Sequence, residues 1–124
     1  MKIAYIAGPY RAKSIYNVVQ NIRKAEHVSV ALWRMGIPNI CPHKNTALLD
    51  GCIGGEGFGD ASVWIDGDLE MLRRCDLVVM FPGWEGSEGA RAERQCAINN
   101  NIPVFEWADS FHREELCVIG VSNG

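Results

Sequence analysis

The sequence lacks the features that would place the protein in a membrane or on nucleic acid. No apolar run approaches the length of a membrane span, and the short strand-like run after Met1-Lys2 does not resemble a signal peptide. The 12 Lys and Arg residues against 15 Asp and Glu give a net charge of −3, which offers no basic field to a phosphate backbone. We therefore expect a cytoplasmic protein whose partner is a small molecule rather than a nucleic-acid polymer or a membrane.

Cysteine pairs are also missing. The five cysteines are dispersed, odd in number and without a C-x-x-C spacing: Cys41, Cys52, Cys75, Cys96 and Cys117. This pattern argues against a disulfide framework and against a zinc site, so we expect free, mostly buried thiols and no metal. The glycine turn after the first apolar run has neither a G-x-G-x-x-G fingerprint nor a Walker lysine, and no cofactor is predicted.

The 124 residues fit a single domain, residues 1–124, in which strand and helix patterns alternate. Short apolar segments bounded by turn residues predict strands at residues 3–7, 37–42, 76–82 and 102–107. Helical patterns cover residues 15–35, 60–74 and 89–99, and a short helix and a last strand are expected at 109–116 and 117–121. This order is typical of an α/β fold, flavodoxin-like or Rossmann-like, with a four- to five-stranded, mainly parallel sheet and helices on both faces. The first and third strands are almost entirely apolar and should be central and adjacent.

The junction between the third strand and its helix is the clearest indication of a ligand site. Where a parallel strand ends and a helix begins, orphan backbone N–H groups and the helix dipole favour an anionic ligand. Glu93 lies four residues after Gly89 on one helix face, so its carboxylate is expected to point over the bare glycine. The alternative, a glycine needed for close helix packing and a glutamate on a solvated face, stays open from the residues alone. The turn at residues 8–11, after the first strand, should face this junction.

Further side chains are expected at the same crevice. His43 follows the second strand and is predicted either to line the pocket or to have a structural role. Asp68 shares a helix face with Trp64, and it is either a pocket carboxylate or a solvated one paired with the Arg73-Arg74 dipeptide. The glycine-rich residues 54–59 belong to a long connection and are interpreted as a flexible lid or rim.

Three groups of residues resemble the nucleoside 2-deoxyribosyltransferase superfamily. They are Tyr5 before Gly8-Pro9, the run Asp68-Leu69-Glu70-x-Leu72-x-x-Cys75-Asp76, and Ser87-x-Gly89-x-x-x-Glu93 followed by Ala97. More narrowly, the A-G-P turn, the block P-G-W-E-x-S-x-G-A-x-x-E and the late I-P-V-F resemble the DUF4406 group of small phage and bacterial proteins. The resemblance covers about residues 2–107.

The resemblance implies a chemical role for three side chains. In that superfamily the glutamate at the position of Glu93 is the nucleophile that attacks the anomeric carbon of the sugar. Asp68 matches the second acid, which handles the proton of the departing or incoming base, and the Tyr5 hydroxyl would orient the nucleophile. Two carboxyls in one pocket are expected to push their pKa values apart, so that one is charged while the other donates.

Ser87 departs from the transferases that act on free nucleosides, which carry an acidic residue there for the 5′-hydroxyl. A neutral hydroxyl at a helix N-terminus, opposite Arg11, would accept a 5′-phosphate, although Glu85 and Glu88 bring negative charge nearby. The pattern is similar to that of the 2′-deoxynucleoside 5′-phosphate N-hydrolases. The resemblance thus implies a substrate-binding set: Gly8, Pro9, Tyr10, Arg11, His43, Trp84, Ser87 and Gly89. Trp84 or Trp64 is expected either to stack on the base or to lie in the interior or at an interface.

The predicted function is an N-glycosidase that cleaves the base–sugar bond of a (deoxy)nucleoside 5′-monophosphate, with transferase activity as a variant of the same chemistry. Two alternatives stay open: a protein that binds or sequesters a nucleotide without turnover, and a glycohydrolase of a dinucleotide such as NAD. The resemblance also implies a homodimer or higher homo-oligomer, because in that superfamily a neighbouring subunit completes the pocket.

Overall fold

The computed structural model describes residues 1–49, 52 and 62–108 of the chain. Four strands form one parallel sheet: β1 (Ala4–Ala7), β2 (Asn39–Ile40), β3 (Leu77–Met80) and β4 (Val104–Glu106). Four α-helices accompany them: α1 (Ile15–Arg34), α2 (Pro42–Thr46), α3 (Ser62–Arg73) and α4 (Glu88–Asn99). Short 3₁₀ turns at Ala47–Leu49 and Trp84–Gly86 follow α2 and precede α4.

The strand order is β2-β1-β3-β4, which confirms that the first and third strands are central and adjacent. From β1 the chain crosses outward to β2, and β3 then begins the other half of the sheet on the opposite side of β1. The loops that leave β1 and β3 therefore diverge at the carboxyl ends of the strands. An open α/β sheet binds its ligands in the crevice that such a divergence creates.

Strand alternation separates the side chains into two cores. Ala4 and Ile6 of β1 lie on one face of the sheet with Leu77 and Val79, where they pack against the buried side of α1. Tyr5 and Ala7 point to the other face with Val78 and Met80, where Leu72 of α3 and Ala90 and Ala97 of α4 complete the core. Because β1 and β3 are buried on both faces, they are apolar throughout. The register thus brings Tyr5 under α3 and α4.

The first helix follows the predicted bounds closely. The Ser14 hydroxyl accepts a hydrogen bond from the Asn17 backbone N–H at 3.1 Å and caps the N-terminus of α1. Gly36 adopts a positive φ of 78° just beyond the C-terminus, a conformation that glycine allows at little cost.

The segment after β2 differs from the prediction. A strand was expected over residues 37–42, followed by an irregular loop, but β2 has only two residues and Pro42 begins α2. Proline is well placed at the first position of a helix, where its missing N–H has no partner to lose. This short helix brings His43 back toward the loop after β1.

Several other predictions fall outside the described residues. These are the lid at residues 54–59, the start of the third helix at 60–61, and the helix and strand expected at 109–116 and 117–121. Within the described ranges, the cysteines are free thiols and no helix has the length and apolarity needed to cross a membrane.

Candidate active site

A cavity of about 560 Å³ opens at the carboxyl ends of the two central strands. The loop after β1 contributes Gly8, Tyr10 and Arg11 to its wall, and α2 contributes His43. On the other side lie Trp64 and Asp68 from α3 and the stretch from Ser87 to Glu93 at the start of α4, which includes Gly89. Most of the predicted site residues therefore meet in one cavity, at the place where the strand order reverses.

Tyr5 lies beneath this cavity and contacts Glu93 directly. The fully buried phenol donates a hydrogen bond from Oη to Glu93 Oε2 at 2.5 Å. Burial, together with the neighbouring Glu93 carboxyl, raises the pKa of Tyr5 far above its ordinary value, so the phenol remains a donor. The carboxyl of Glu93 is thereby held in one orientation at the cavity wall.

Asp68 is the second carboxyl of the cavity. The expected alternative, a pair with Arg73 or Arg74, is wrong: both arginines contact Glu70 instead, at 3.3 and 3.1 Å. Glu70, two residues further along α3, is exposed to solvent, whereas Asp68 is half-buried and lines the cavity. The two arginines thus form ion pairs with the exposed Glu70 carboxylate and not with Asp68, which lines the cavity.

The surroundings raise the pKa values of both cavity carboxyls. Burial raises the pKa of Asp68 to about 6. For Glu93, burial has the largest effect, the Tyr5 hydrogen bond opposes it, the charge of Asp68 adds to it, and the pKa rises to about 8. The two carboxyls therefore hold one proton between them from about pH 6 to about pH 8.

The two glycines of the site serve different purposes. A Cβ added at Gly89 would meet no atom within 4 Å, which contradicts the alternative that this glycine permits close helix packing. Its bare backbone faces the cavity beside Glu93. At Gly8, in contrast, an added Cβ would overlap the ring of Phe81, so this glycine is needed for packing.

The start of α4 and the loop after β1 form the end of the cavity suited to an anion. Ser87 caps α4, where its Oγ accepts a hydrogen bond from the Ala90 N–H at 3.2 Å and its own hydroxyl proton can still be donated. Arg11 lines the opposite wall. Glu88 lines the cavity beside Ser87, whereas Glu85 lines a different cleft.

His43 is both structural and part of the cavity wall. Its Nε2–H donates to the Pro9 carbonyl at 2.8 Å, and its ring makes edge contacts with Tyr10 and Phe81. The ring is buried, Nδ1 has no partner among the described residues, and burial lowers the pKa of His43. The imidazole is therefore neutral and fixed in one tautomer. Pro9 does not line the cavity, and its contact with the site is this hydrogen bond between its carbonyl and His43.

Trp84 lies elsewhere. It belongs to a second cleft of about 190 Å³ beside β4, where its Nε1–H donates to Glu106 at 3.1 Å and Arg94 lies 5.1 Å from the ring centre. Trp84 does not line the main cavity, because the 3₁₀ turn at Trp84–Gly86 turns the ring toward β4. Trp64 lines the main cavity, and its spacing of four from Asp68 was the signal for it.

Sequence reasoning did not find every wall residue. Pro42 and Thr46 come from α2, a helix that was not predicted, and Ile65 and Leu69 flank Trp64 and Asp68 on α3. Among the described residues, no group of three His, Cys, Asp or Glu side chains is arranged to hold a metal ion.

A parallel sheet with this strand order and a cavity at its reversal point defines a Rossmann-like α/β domain. The chain belongs to the family described as DUF1937, a domain of unknown function, whose model matches residues 2–109. The narrower resemblances to DUF4406 and to the 5′-phosphate N-hydrolases are not confirmed. No curated protein sequence matches the chain.

A solved structure has a similar fold. It is a 2-deoxyribosyltransferase from the psychrotolerant bacterium Bacillus psychrosaccharolyticus, similar at a TM-score of 0.56 and 18% sequence identity. The match covers 92% of this chain and 79% of that one. At this identity the likeness shows the fold alone, a Rossmann-like α/β domain.

Proposed function

We propose that the protein cleaves the N-glycosidic bond of a (deoxy)nucleoside 5′-monophosphate, with Glu93 as nucleophile and Asp68 as acid and base. One observation carries this proposal: the Tyr5 phenol holds Glu93 at the wall of a cavity that Asp68 also lines. The fold similarity to a 2-deoxyribosyltransferase supports the same class of chemistry.

The proposed reaction uses the carboxyl pair in two steps. In the first, Glu93 carboxylate bonds to the anomeric carbon, the base–sugar bond breaks, and its electron pair leaves with the base, which takes a proton from Asp68. In the second, water attacks the glycosyl ester, Asp68 accepts a proton from that water, and the Glu93 carboxylate is released. A second base in place of water would give transfer.

The protonation of the free site suits this cycle. The reaction requires one carboxylate and one carboxylic acid, and the pair holds one proton between about pH 6 and about pH 8. In the free protein the proton resides on Glu93. A bound sugar that develops positive charge would favour the ionised form of Glu93 and transfer of the proton to Asp68 and the base.

The remaining walls suit the two ends of a nucleotide. Arg11 and the Ser87 hydroxyl at the N-terminus of α4 would hold the 5′-phosphate. Trp64, Ile65 and Leu69 from α3 form an apolar side beside Asp68, where a base would lie next to its proton donor.

The direct test is incubation of the purified protein with ribo- and deoxyribonucleoside 5′-monophosphates, the corresponding nucleosides and NAD, with free base followed by chromatography. Release of base from a monophosphate, lost in Glu93→Gln, is the expected result. Glu70→Gln is a matched control, because Glu70 is an exposed carboxylate paired with Arg73 and Arg74. Binding of a nucleotide without release of base from any compound would overturn the proposal, and release from NAD alone would redirect it to a dinucleotide.

We further propose a homo-oligomer. Three large apolar side chains of helix α1 are exposed: Ile15, Tyr16 and Trp33 have relative accessible surface areas of 84%, 70% and 56%. Such an exposed apolar surface suits a contact between subunits. Analytical ultracentrifugation at micromolar concentration would detect it, and a monomer at all concentrations would contradict it.

A further inference from the structure

Four side chains beside the cavity contact one another in series, from Arg11 through Tyr10 and His43 to Phe81, and this series is called the stack below. The Arg11 guanidinium lies over the Tyr10 ring, 5.1 Å from its centre. The Tyr10 ring meets His43 at 5.4 Å with an interplanar angle of 85°, and His43 meets Phe81 at 5.3 Å and 63°. The stack thus runs from a fully buried phenylalanine at the end of β3 to an exposed arginine.

The backbone that carries the outer half of this stack is also fixed. The Pro9 carbonyl accepts the hydrogen bond from His43 Nε2, and the Tyr10 carbonyl accepts one from Asn21 Nδ2 of α1 at 3.0 Å. Phe81, at the inner end, occupies the space that a side chain at Gly8 would need. Two helices and one strand end therefore hold the loop of residues 8–11.

We propose that Tyr10 and His43 are positioning residues that hold the Arg11 guanidinium for the 5′-phosphate and thereby set a preference for nucleoside monophosphates over nucleosides. This inference rests on the proposed function. A long arginine side chain loses rotamer freedom when it binds a phosphate, and a guanidinium already held over a ring has less to lose. The His43 ring is buried and neutral, so it supports the Tyr10 ring without adding a charge of its own.

The test compares two substitutions at Tyr10 with control substitutions elsewhere in the chain. The measured quantity is the ratio of kcat/KM for a 2′-deoxynucleoside 5′-monophosphate to kcat/KM for the matching deoxynucleoside. Tyr10→Leu removes the ring and should lower this ratio by about two- to fivefold, roughly the value of one exposed cation–π contact. The change should lie mainly in KM for the monophosphate. Tyr10→Phe keeps the ring and should stay within about twofold of the wild type.

Matched variants separate positioning from general damage. His27→Gln changes an exposed histidine of α1 that lies outside the cavity and contacts Trp107, and it should leave the ratio unchanged, which makes it the control for the same change at His43. His43→Gln removes the ring while its amide can still donate to the Pro9 carbonyl, and should lower the ratio in the same direction as Tyr10→Leu. Thermal unfolding by circular dichroism identifies variants that do not fold.

Each result bears on the inference. An unchanged ratio in folded Tyr10→Leu, or an equal loss in Tyr10→Phe, would overturn it, because the ring face would then not be what positions Arg11. If the wild type releases no base from any compound, the proposed function fails and calorimetric titration with the same monophosphate and nucleoside tests the stack. Weaker binding of the monophosphate alone in Tyr10→Leu would then support the positioning role, and equal binding would exclude it.

Discussion

The two ends of the cavity differ in how they hold their charged groups. At the inner end, Glu93 and Asp68 are removed from solvent enough to raise both pKa values, and Tyr5 orients Glu93 from within the core. At the outer end, Arg11 is exposed and its guanidinium lies over the ring of Tyr10. Burial therefore raises pKa values at one end, whereas the charged group at the other end is exposed and contacts an aromatic ring. Substitutions at the inner end should change the rate and its pH dependence, and those at the outer end should change affinity for the phosphate.

After the complete loss expected in Glu93→Gln, the largest expected effect is at Asp68. Asp68→Asn removes the proposed proton donor of the leaving base and should lower kcat/KM by about 10²- to 10⁴-fold, the usual contribution of general acid catalysis. A nucleotide analogue with 4-nitrophenolate as leaving group needs no proton and should lose much less. Values of kcat/KM on both substrates measure the difference, because kcat/KM reports the first step and not the hydrolysis in which Asp68 is the proposed base. Equal losses on the two would contradict the role of Asp68 as acid.

The pH dependence of kcat/KM should be bell-shaped, with limbs near pH 6 and pH 8. Below the pKa of Asp68, at about 6, both carboxyls are protonated and no nucleophile is available; above the pKa of Glu93, at about 8, both are charged and no acid remains. Activity should fall about tenfold per pH unit beyond each limb. Tyr5→Phe removes a hydrogen bond that lowers the pKa of Glu93, so the alkaline limb should move to higher pH. An unmoved limb would show that Glu93 does not control it.

Burial of the Glu93 and Asp68 carboxyls should also lower the free energy of unfolding at alkaline pH. Because the folded state raises the pKa values of Glu93 and Asp68 above their unfolded values of 4.5 and 3.8, it binds more protons, and the free energy of unfolding falls as pH rises from about 3.8 to about 8. Glu93→Gln should therefore unfold at a higher temperature than the wild type at pH 8.5, by roughly 5 °C, and by less at pH 5. Calorimetry or circular dichroism measures both. A variant equally or less stable at pH 8.5 would contradict the cost of burial.

The smallest expected effect is at the outer end. Glu88 lines the cavity beside Ser87 and, if the proposed 5′-phosphate binds there, would repel it, so Glu88→Gln should lower KM for a nucleoside monophosphate by roughly two- to fivefold. KM for the nucleoside should not change, and the difference should shrink in high salt. Glu85→Gln is the control, because Glu85 lines the second cleft beside Trp84. An identical response of the two variants would mean that only net charge matters.

The inner end could be predicted from the sequence better than the outer end. Tyr5 and Glu93 belong to a regular strand and a regular helix, whose periods determine which face each side chain takes. The central pair β1 and β3 followed from their apolar composition, and the structure confirms it. The catalytic and binding roles of these residues stay predictions.

The outer end depends on features without periodicity. Helix α2 has five residues, too few for an amphipathic pattern, so neither it nor the contact between His43 and the Pro9 carbonyl could be predicted. Trp84 follows a left-handed Gly83 and a 3₁₀ turn, and such a turn can direct a ring to either side. Whether Asp68 lines the cavity or pairs with an arginine depends on which carboxylate Arg73 and Arg74 contact. They contact Glu70, and sequence spacing alone does not distinguish the two possibilities.

The overlap between Gly8 and Phe81 limits how this chain can vary. Because the ring fills the place of a side chain at residue 8, any larger residue there requires a smaller residue at 81 in the same chain. Phe81 also supports His43, and His43 supports Tyr10. A single substitution at residue 8 would thus displace Phe81 and, through His43 and Tyr10, alter the position of the Arg11 guanidinium. Substitutions in the turn, at the end of β3 and around Arg11 are therefore expected to occur together.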